Sequence, residues 1–285
     1  MSFKELPIMS DKKKGSLLFY PYISKKSAQN IKRILSTRWI GQGPMVDKFE
    51  NKFQKVFAKK NFALATGSGT DSLHLAYLLA GIKKGDEVIT TVFTCTATNI
   101  PLLYIGAKIK FADIDPRTMN ISIPSVKKLI SKKTKAIVCV HYGGLPCEMD
   151  ELKKLSKKYK IPIIEDAAHA MGARYKGKTI GSISDFTTFS FQAIKHFTTG
   201  DGGMLTIKDK NLLKKGKRLR WFGIDREGKQ NGTWENDVYE TGYKYQMTDI
   251  AATLGFDSLL EFNKILIHRR KIFNVYLNEL SKNKN

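Results

Sequence analysis

IIEDAAHAMGARYKGKTIGSISDFTTFSFQAIKHFTTGDGGM, Ile163–Met204, is the stretch that decides how this chain folds. The apolar run Ile161–Ile164 leads into it and stops abruptly at two carboxylates, Glu165 and Asp166. Open α/β sheets end buried strands this way, with ligands sitting outside the carboxyl ends. Downstream, DFTTFSF (Asp185–Phe191) alternates as a strand does and then yields to Lys195 and the glycine-rich TTGDGG. The segment therefore predicts two neighbouring strands, one delivering an acid and the other a lysine in a loop.

Outward from this stretch, strand and helix signals alternate. Upstream lie FALA, EVITTVF, KIKFADID and KAIVCVHY as strands. Between them stand the helical patterns DSLHLAYLLAGI, TATNIPLLYIG (with a break expected near Pro101), PSVKKLI and MDELKKLSKKYK. Two helices precede the first strand, Ile23–Leu35 and Val46–Phe57. Downstream come MLTI as one more strand, NLLKKGKRLRWFG as a helix, and a polar loop from Ile224 to Val238. Met247–Leu280 then reads as helix throughout, with a bend expected near Asn263. Repeated βα units of this length imply an α/β fold, a mostly parallel sheet with helices on both faces. Residues 1–19 read as a polar, lysine-rich arm, 20–262 as the large domain, and 263–285 as a helix leading out of it.

At 285 residues the chain can bury a sizeable core. No stretch reaches the roughly 20 apolar residues of a membrane span, and no secretory h-region opens the chain. Cys95, Cys139 and Cys147 form neither a metal-ligand spacing nor an even disulfide framework, so no metal and a reducing, cytoplasmic setting are expected. With 49 Lys+Arg against 26 Asp+Glu the net charge is +23, which raises nucleic acid as a partner. The lysines, however, fall in scattered pairs on the polar faces of helices, and no aromatic residues interleave a basic motif. Leu212–Arg220, LLKKGKRLR, is the densest candidate for a basic patch.

TGSGT (Thr66–Thr70) lies between FALA and its helix. Gly67 and Gly69 let backbone N–H groups converge at a helix start, a plausible phosphate cradle, whereas Ser68 or Thr70 could equally be a plain N-cap. A phosphate cradle, a strand-end acid and a lysine are together what pyridoxal phosphate needs. Its ring nitrogen requires a carboxylate, for which Asp166 is suited, and its aldehyde requires an amine, for which Lys195 is suited. Ser190 stands five residues before the lysine as a hydroxyl donor, and His169 stands three after the aspartate, beside the ring or as a structural histidine.

The order TGSGTDSLHLA, TTVFTCTATNIPLLYIGAKIKFADIDPRTMNIS, VHYGGLPCEMDEL, IPIIEDAAHAMGARYKGKTIGS, FSFQAIKHFTTGDGG and ETGYKYQMTDIAATLG resembles the nucleotide-sugar aminotransferases of the DegT/StrS type. The resemblance runs from about Tyr20 to Leu280 and implies the large domain of an aspartate-aminotransferase-like, three-layer αβα fold. It implies Asp166 on the pyridinium nitrogen, His169 beside the ring, Ser190 with Gly69-Thr70 on the phosphate, and Lys195 as the Schiff-base lysine. It also implies a homodimer that moves an amino group from an amino acid, usually glutamate, to a nucleotide-linked keto-sugar.

Three positions depart from the pattern. Cys95 stands where many members carry an aromatic ring that stacks on the cofactor, with Phe93 nearby as a substitute. Lys244 replaces an asparagine that reaches the partner subunit's phosphate, and can serve there as a point charge. Relatives also continue into a small C-terminal domain, so a relative that binds cofactor without turnover is the first alternative. A dehydratase, in which histidine takes the lysine's place, is the second; the spacing to TTGDGG puts Lys195 there and not His196. A basic nucleic-acid-binding protein is the third, and it predicts affinity that falls steeply with salt.

Overall fold

A computed structural model describes residues 20–226 and 238–282. The arm expected at 1–19 and most of the loop expected at 224–238 lie outside the described residues. In chain order the elements are α1 (Ser27–Leu35), α2 (Pro44–Phe53), β1 (Phe62–Thr66), α3 (Gly69–Leu79), β2 (Glu87–Thr90), α4 (Thr96–Ile105) and β3 (Lys108–Phe111). There follow α5 (Ile123–Leu129), β4 (Thr134–Val140), α6 (Met149–Tyr159), β5 (Ile163–Asp166), β6 (Arg174–Tyr175), β7 (Lys178–Thr179) and β8 (Phe186–Ser190). The last are β9 (Gly203–Ile207), α7 (Lys210–Arg220), α8 (Asp249–Leu260) and α9 (Phe262–Leu280).

Seven strands form one sheet in the order β1-β9-β8-β5-β4-β2-β3. All point the same way except β9, which runs antiparallel to both neighbours. The mostly parallel sheet expected from the βα alternation is therefore present. Because side chains alternate along each strand, the sheet buries a core on each face. Phe49, Phe53, Phe57, Ile163 and Phe189 belong to one core, and Leu64, Leu75, Val138, Ile164 and Leu205 to the other. The parallel pairing of β4, β5 and β8 sets Asp166 opposite Thr188, so the carboxyl ends of adjacent strands share one edge.

Several local expectations are corrected. The expected break at Pro101 is absent: α4 runs unbroken from Thr96 to Ile105, with Leu102 fully buried and the Tyr77 hydroxyl donating to the Thr98 carbonyl at 2.7 Å. Packing outweighs the one backbone bond that proline removes. The helix expected from Ile23 begins at Ser27, and α2 loosens after Phe53 into a π turn, Gln54–Ala58. The strand expected to end at Asp113 and Asp115 stops at Phe111, leaving Asp113 exposed and Asp115 paired with Arg117. The long C-terminal helix divides at Glu261, two residues before the expected bend. The hairpin β6–β7, turning on Gly177 at φ +80°, was not legible because each of its strands is two residues long.

Candidate active site

A cavity of about 330 Å³ opens at the carboxyl ends of β4, β5 and β8. Asp166, His169, Ser190, Lys195, Gly69 and Thr70 all line it, so the fold brings together six of the seven site residues expected from sequence. Lys244 is the exception. Its ammonium lies 4.0 Å from the centre of the Trp221 ring and borders no part of this cavity.

Each member is held by a specific local device. Asp166 is the last residue of β5 and 6% exposed. Its Oδ2 accepts from the Thr98 hydroxyl at 2.6 Å and its Oδ1 from the Ala168 backbone N–H at 3.1 Å. A carboxylate aimed by two donors retains lone pairs for a cationic partner. Thr98 comes from α4, sixty-eight residues earlier in the chain, and no local pattern marked it.

At the cavity's other side, α3 begins at Gly69, capped by the Ser68 hydroxyl, which accepts from the Asp71 N–H at 3.0 Å. The plain N-cap reading is thus right for Ser68, while the helix start still faces the cavity. Gly69 has a packing reason: a Cβ there would stand 2.8 Å from the Ser190 Cβ. The start of α3 and the Ser190 hydroxyl therefore border the same part of the cavity, where a helix N-terminus favours an anion.

Lys195 sits in the loop after β8, half-buried, its N–H donating to Gln192 O at 2.9 Å and its carbonyl accepting from Arg269 at 3.0 Å. His196 does not line the cavity, and burial together with the charges of Arg269, His169 and Lys195 pushes it down to about 4. Of these two neighbours, Lys195 alone lines the cavity. His169 is also held below the usual histidine range, first by burial and then by the Lys195 charge, so it is neutral at pH 7. Part of the remaining wall is apolar, from Leu73, Ala97, Val140, Ala168, Phe189 and Ile194, and Cys95 and Tyr142 also border the cavity. Phe93 does not line it, but its ring lies 4.5 Å from that of Tyr142.

Two further features test the sequence reading. Cys139, His141 and Cys147 show no metal-ligand spacing in sequence, yet the turn after β4 brings their ligand atoms within 4.8 Å of one another. Both ring nitrogens of His141 are engaged, Nε2 with Glu165 at 2.7 Å and Nδ1 as acceptor of the Cys147 N–H at 3.1 Å. The Cys147 thiol donates to the Val140 carbonyl at 3.1 Å. This cluster is a closed hydrogen-bond network that builds the turn.

The basic run in α7 is also largely committed. Arg220 bonds Glu50 at 2.6 Å, and Arg218 and Lys215 pair with Glu240 at 3.0 and 3.4 Å. A larger cleft of about 740 Å³ lies between α7 and the start of α2, but neither Asp166 nor Lys195 reaches it. Size alone does not make it the reactive site.

Residues 21–285 match the model of the DegT/DnrJ/EryC1/StrS aminotransferase family, and the chain belongs to it. It is 38% identical over 260 residues to the spore coat polysaccharide biosynthesis protein SpsC of Bacillus subtilis, covering 90% of this chain and 67% of the relative. It is 36% identical over 263 residues to the GDP-perosamine synthase of Escherichia coli O157:H7, covering 91% and 70%. Among solved structures, a Streptococcus pneumoniae protein assigned as a sugar aminotransferase, in its PLP-form, superposes with a TM-score of 0.86 at 30% identity, covering 94% of this chain and 72% of that one. The chain thus spans about two thirds of the length of the curated relatives it matches. Among the described residues, no helix is long and apolar enough to cross a membrane.

Proposed function

We propose that this chain is the pyridoxal-phosphate-binding part of an aminotransferase that moves an amino group from an amino acid, glutamate by preference, to a nucleotide-linked keto-sugar. The observation that carries this is the convergence of Asp166 and Lys195 on one cavity with Ser190 and the start of α3. The residues fit the cofactor on their own chemistry. Asp166 is aimed by Thr98 and the Ala168 amide, and Gly69 lies so close to Ser190 that a Cβ there would clash with it, which sets the start of α3 beside the Ser190 hydroxyl. A cavity of about 330 Å³ is at the small end of the range for ligand sites, which roughly spans 300–1,000 Å³.

Pyridoxal phosphate, when bound, supplies an electrophilic carbon and an electron-accepting ring. Asp166 would hold the ring nitrogen in its protonated form. Ser190, Gly69 and Thr70 would hold the phosphate. Lys195 would anchor the cofactor and then serve as the base that takes and returns the proton at the donor's Cα. His169, neutral beside Lys195, can accept or donate one hydrogen bond without adding charge.

The relatives' names support an amino-sugar product and a polysaccharide setting. A homodimer, with Lys244 reaching the partner's phosphate, belongs to the same reading, as does a cytoplasmic setting in which the three cysteines stay free. Residues 20–262 would form the cofactor domain and 263–285 the helix leading out of it.

The test is to load the purified protein with pyridoxal phosphate, add glutamate, and then add a panel of nucleotide-linked keto-sugars. The expected result is a visible cofactor band that bleaches with glutamate and returns with one of the sugars, and that Lys195→Ala lacks. A protein that acquires no band with the cofactor overturns the proposal.

A further inference from the structure

A flat, aromatic ligand held between an acid and an anion cradle needs a surface for its ring face, and small aliphatic side chains offer little. Among the described residues, the rings bordering the cavity are those of Phe189, His169 and Tyr142. Phe189 is 1% exposed and packs into the phenylalanine cluster, 5.1 Å from Phe53 and 6.5 Å from Phe57. His169 is half-buried, its imidazole is a smaller ring than a phenol, and it stands edge-on to Tyr142. Tyr142 is 36% exposed while lining the cavity, and Cys95, on the same wall, brings no ring.

Resting on the cofactor reading above, we propose that Tyr142 is the aromatic residue against which the cofactor's ring packs in this chain. Its ring is backed by Phe93 at 4.5 Å and stands edge-on to His169 at 6.1 Å. The turn that carries it is fixed on every side. The Tyr142 N–H donates to Asn120 Oδ1 at 3.0 Å, and Asn120 Nδ2 donates onward to the Leu145 carbonyl at 3.0 Å. The His141 N–H donates to the carbonyl of Asp166 itself at 3.1 Å.

Gly143 and Gly144 take φ of +58° and +89°. A Cβ at Gly144 would stand 2.8 Å from the His169 carbonyl, so the turn lies flush against the segment that carries His169. The closed network of His141, Cys147 and Glu165 beneath the turn acquires a purpose from this arrangement. It holds one aromatic ring in place before the ligand arrives, which lowers the ordering cost of binding.

The test measures pyridoxal phosphate affinity of the cofactor-free protein for wild type, Tyr142→Leu, Tyr142→Phe and Tyr142→Trp, with apo melting curves confirming equal folding. A ring-face role predicts that the leucine variant binds roughly 2- to 13-fold more weakly. The phenylalanine and tryptophan variants should bind within about twofold of wild type. Leucine affinity equal to wild type overturns the proposal, as does a phenylalanine variant as weak as leucine, which would assign the effect to the hydroxyl. If Tyr142→Leu does not fold, Tyr142→Met takes its place as the ringless variant, with the same expected loss and the same overturning result. Wild-type protein that binds no cofactor overturns the parent reading too, whereas normal wild-type binding with an indifferent Tyr142 overturns this one alone.

Discussion

Glu165 and Asp166 are chemically similar neighbours, and strand alternation sends them to different tasks. Asp166 meets the cavity. Glu165 is fully buried and accepts from the Ser184 N–H at 3.2 Å and the Thr187 hydroxyl at 3.0 Å, while pairing with His141 at 2.7 Å. Removing it would orphan three buried polar groups. Glu165→Ala should therefore lower unfolding free energy by about 3–5 kcal/mol, read by denaturant titration. A loss under about 1 kcal/mol would show that the network is not needed. Asp71 permits a prediction about pH. Burial, aided by the charge of Asp201, pushes it from 3.8 to about 6, against the lowering effect of its Ser68 hydrogen bonds. Tyr245 is the other titratable group coupled to it. A carboxyl whose folded pKa is raised binds its proton more tightly in the folded state, so its contribution to stability grows as pH falls from about 6 toward 3.8. Asp71→Asn should raise the melting temperature above pH 6 and change it little near pH 4; an equal shift at both values would refute this. At this scale Asp166 and Lys195 were readable because both follow short apolar runs. Thr98 and Tyr142 were not, since each reaches the site through a contact distant in sequence.

The elements were legible where periodicity was long and obscure where tertiary contacts set the boundary. β5 announced itself through an apolar run, β8 through alternation, and α6 through its lysine-rich amphipathic pattern. The start of α2 did not, because its cap comes from Asp249, about two hundred residues away. That carboxylate accepts from the backbone N–H groups of Gly43 at 2.8 Å, Met45 at 3.1 Å and Val46 at 3.0 Å. It joins the first turn of α2 to the first turn of α8, and its negative charge lies where the helix dipole favours it. No sequence window contains both partners. Replacing Asp249 with alanine removes three charge-assisted hydrogen bonds and leaves buried donors behind. It should cost about 2–4 kcal/mol, with Asp249→Asn recovering part of the loss. Calorimetry of the two variants checks this, and an asparagine variant no better than alanine would argue that the site matters only for its shape.

The whole molecule carries a net charge of +23, and the surroundings of individual cations explain why this need not mean nucleic acid. Arg220, Arg218 and Lys215 serve internal ion pairs, and many other lysines lie exposed in scattered pairs, as Lys153-Lys154 and Lys157-Lys158 do on α6. Lys244 is the cation on which the proposed homodimer can be tested. In one subunit it rests over Trp221 at 4.0 Å and Phe222 at 5.0 Å, away from the cavity, although its neighbour Tyr245 accepts from Gly67 beside the phosphate cradle. If the proposed homodimer forms, a lysine at this place serves the partner's phosphate and not its own. Lys244→Ala and Lys195→Ala should then each abolish or weaken the visible band of bound cofactor when purified separately. Dissociated, mixed in equal amounts and reassociated, the two variants would form mixed dimers in about half of the pairs. In each mixed dimer the subunit with Lys195 receives Lys244 from its partner, so about a quarter of all sites should recover. A Lys244 that works within its own subunit predicts no recovery, and a chain that sediments only as a monomer rules out the shared site altogether.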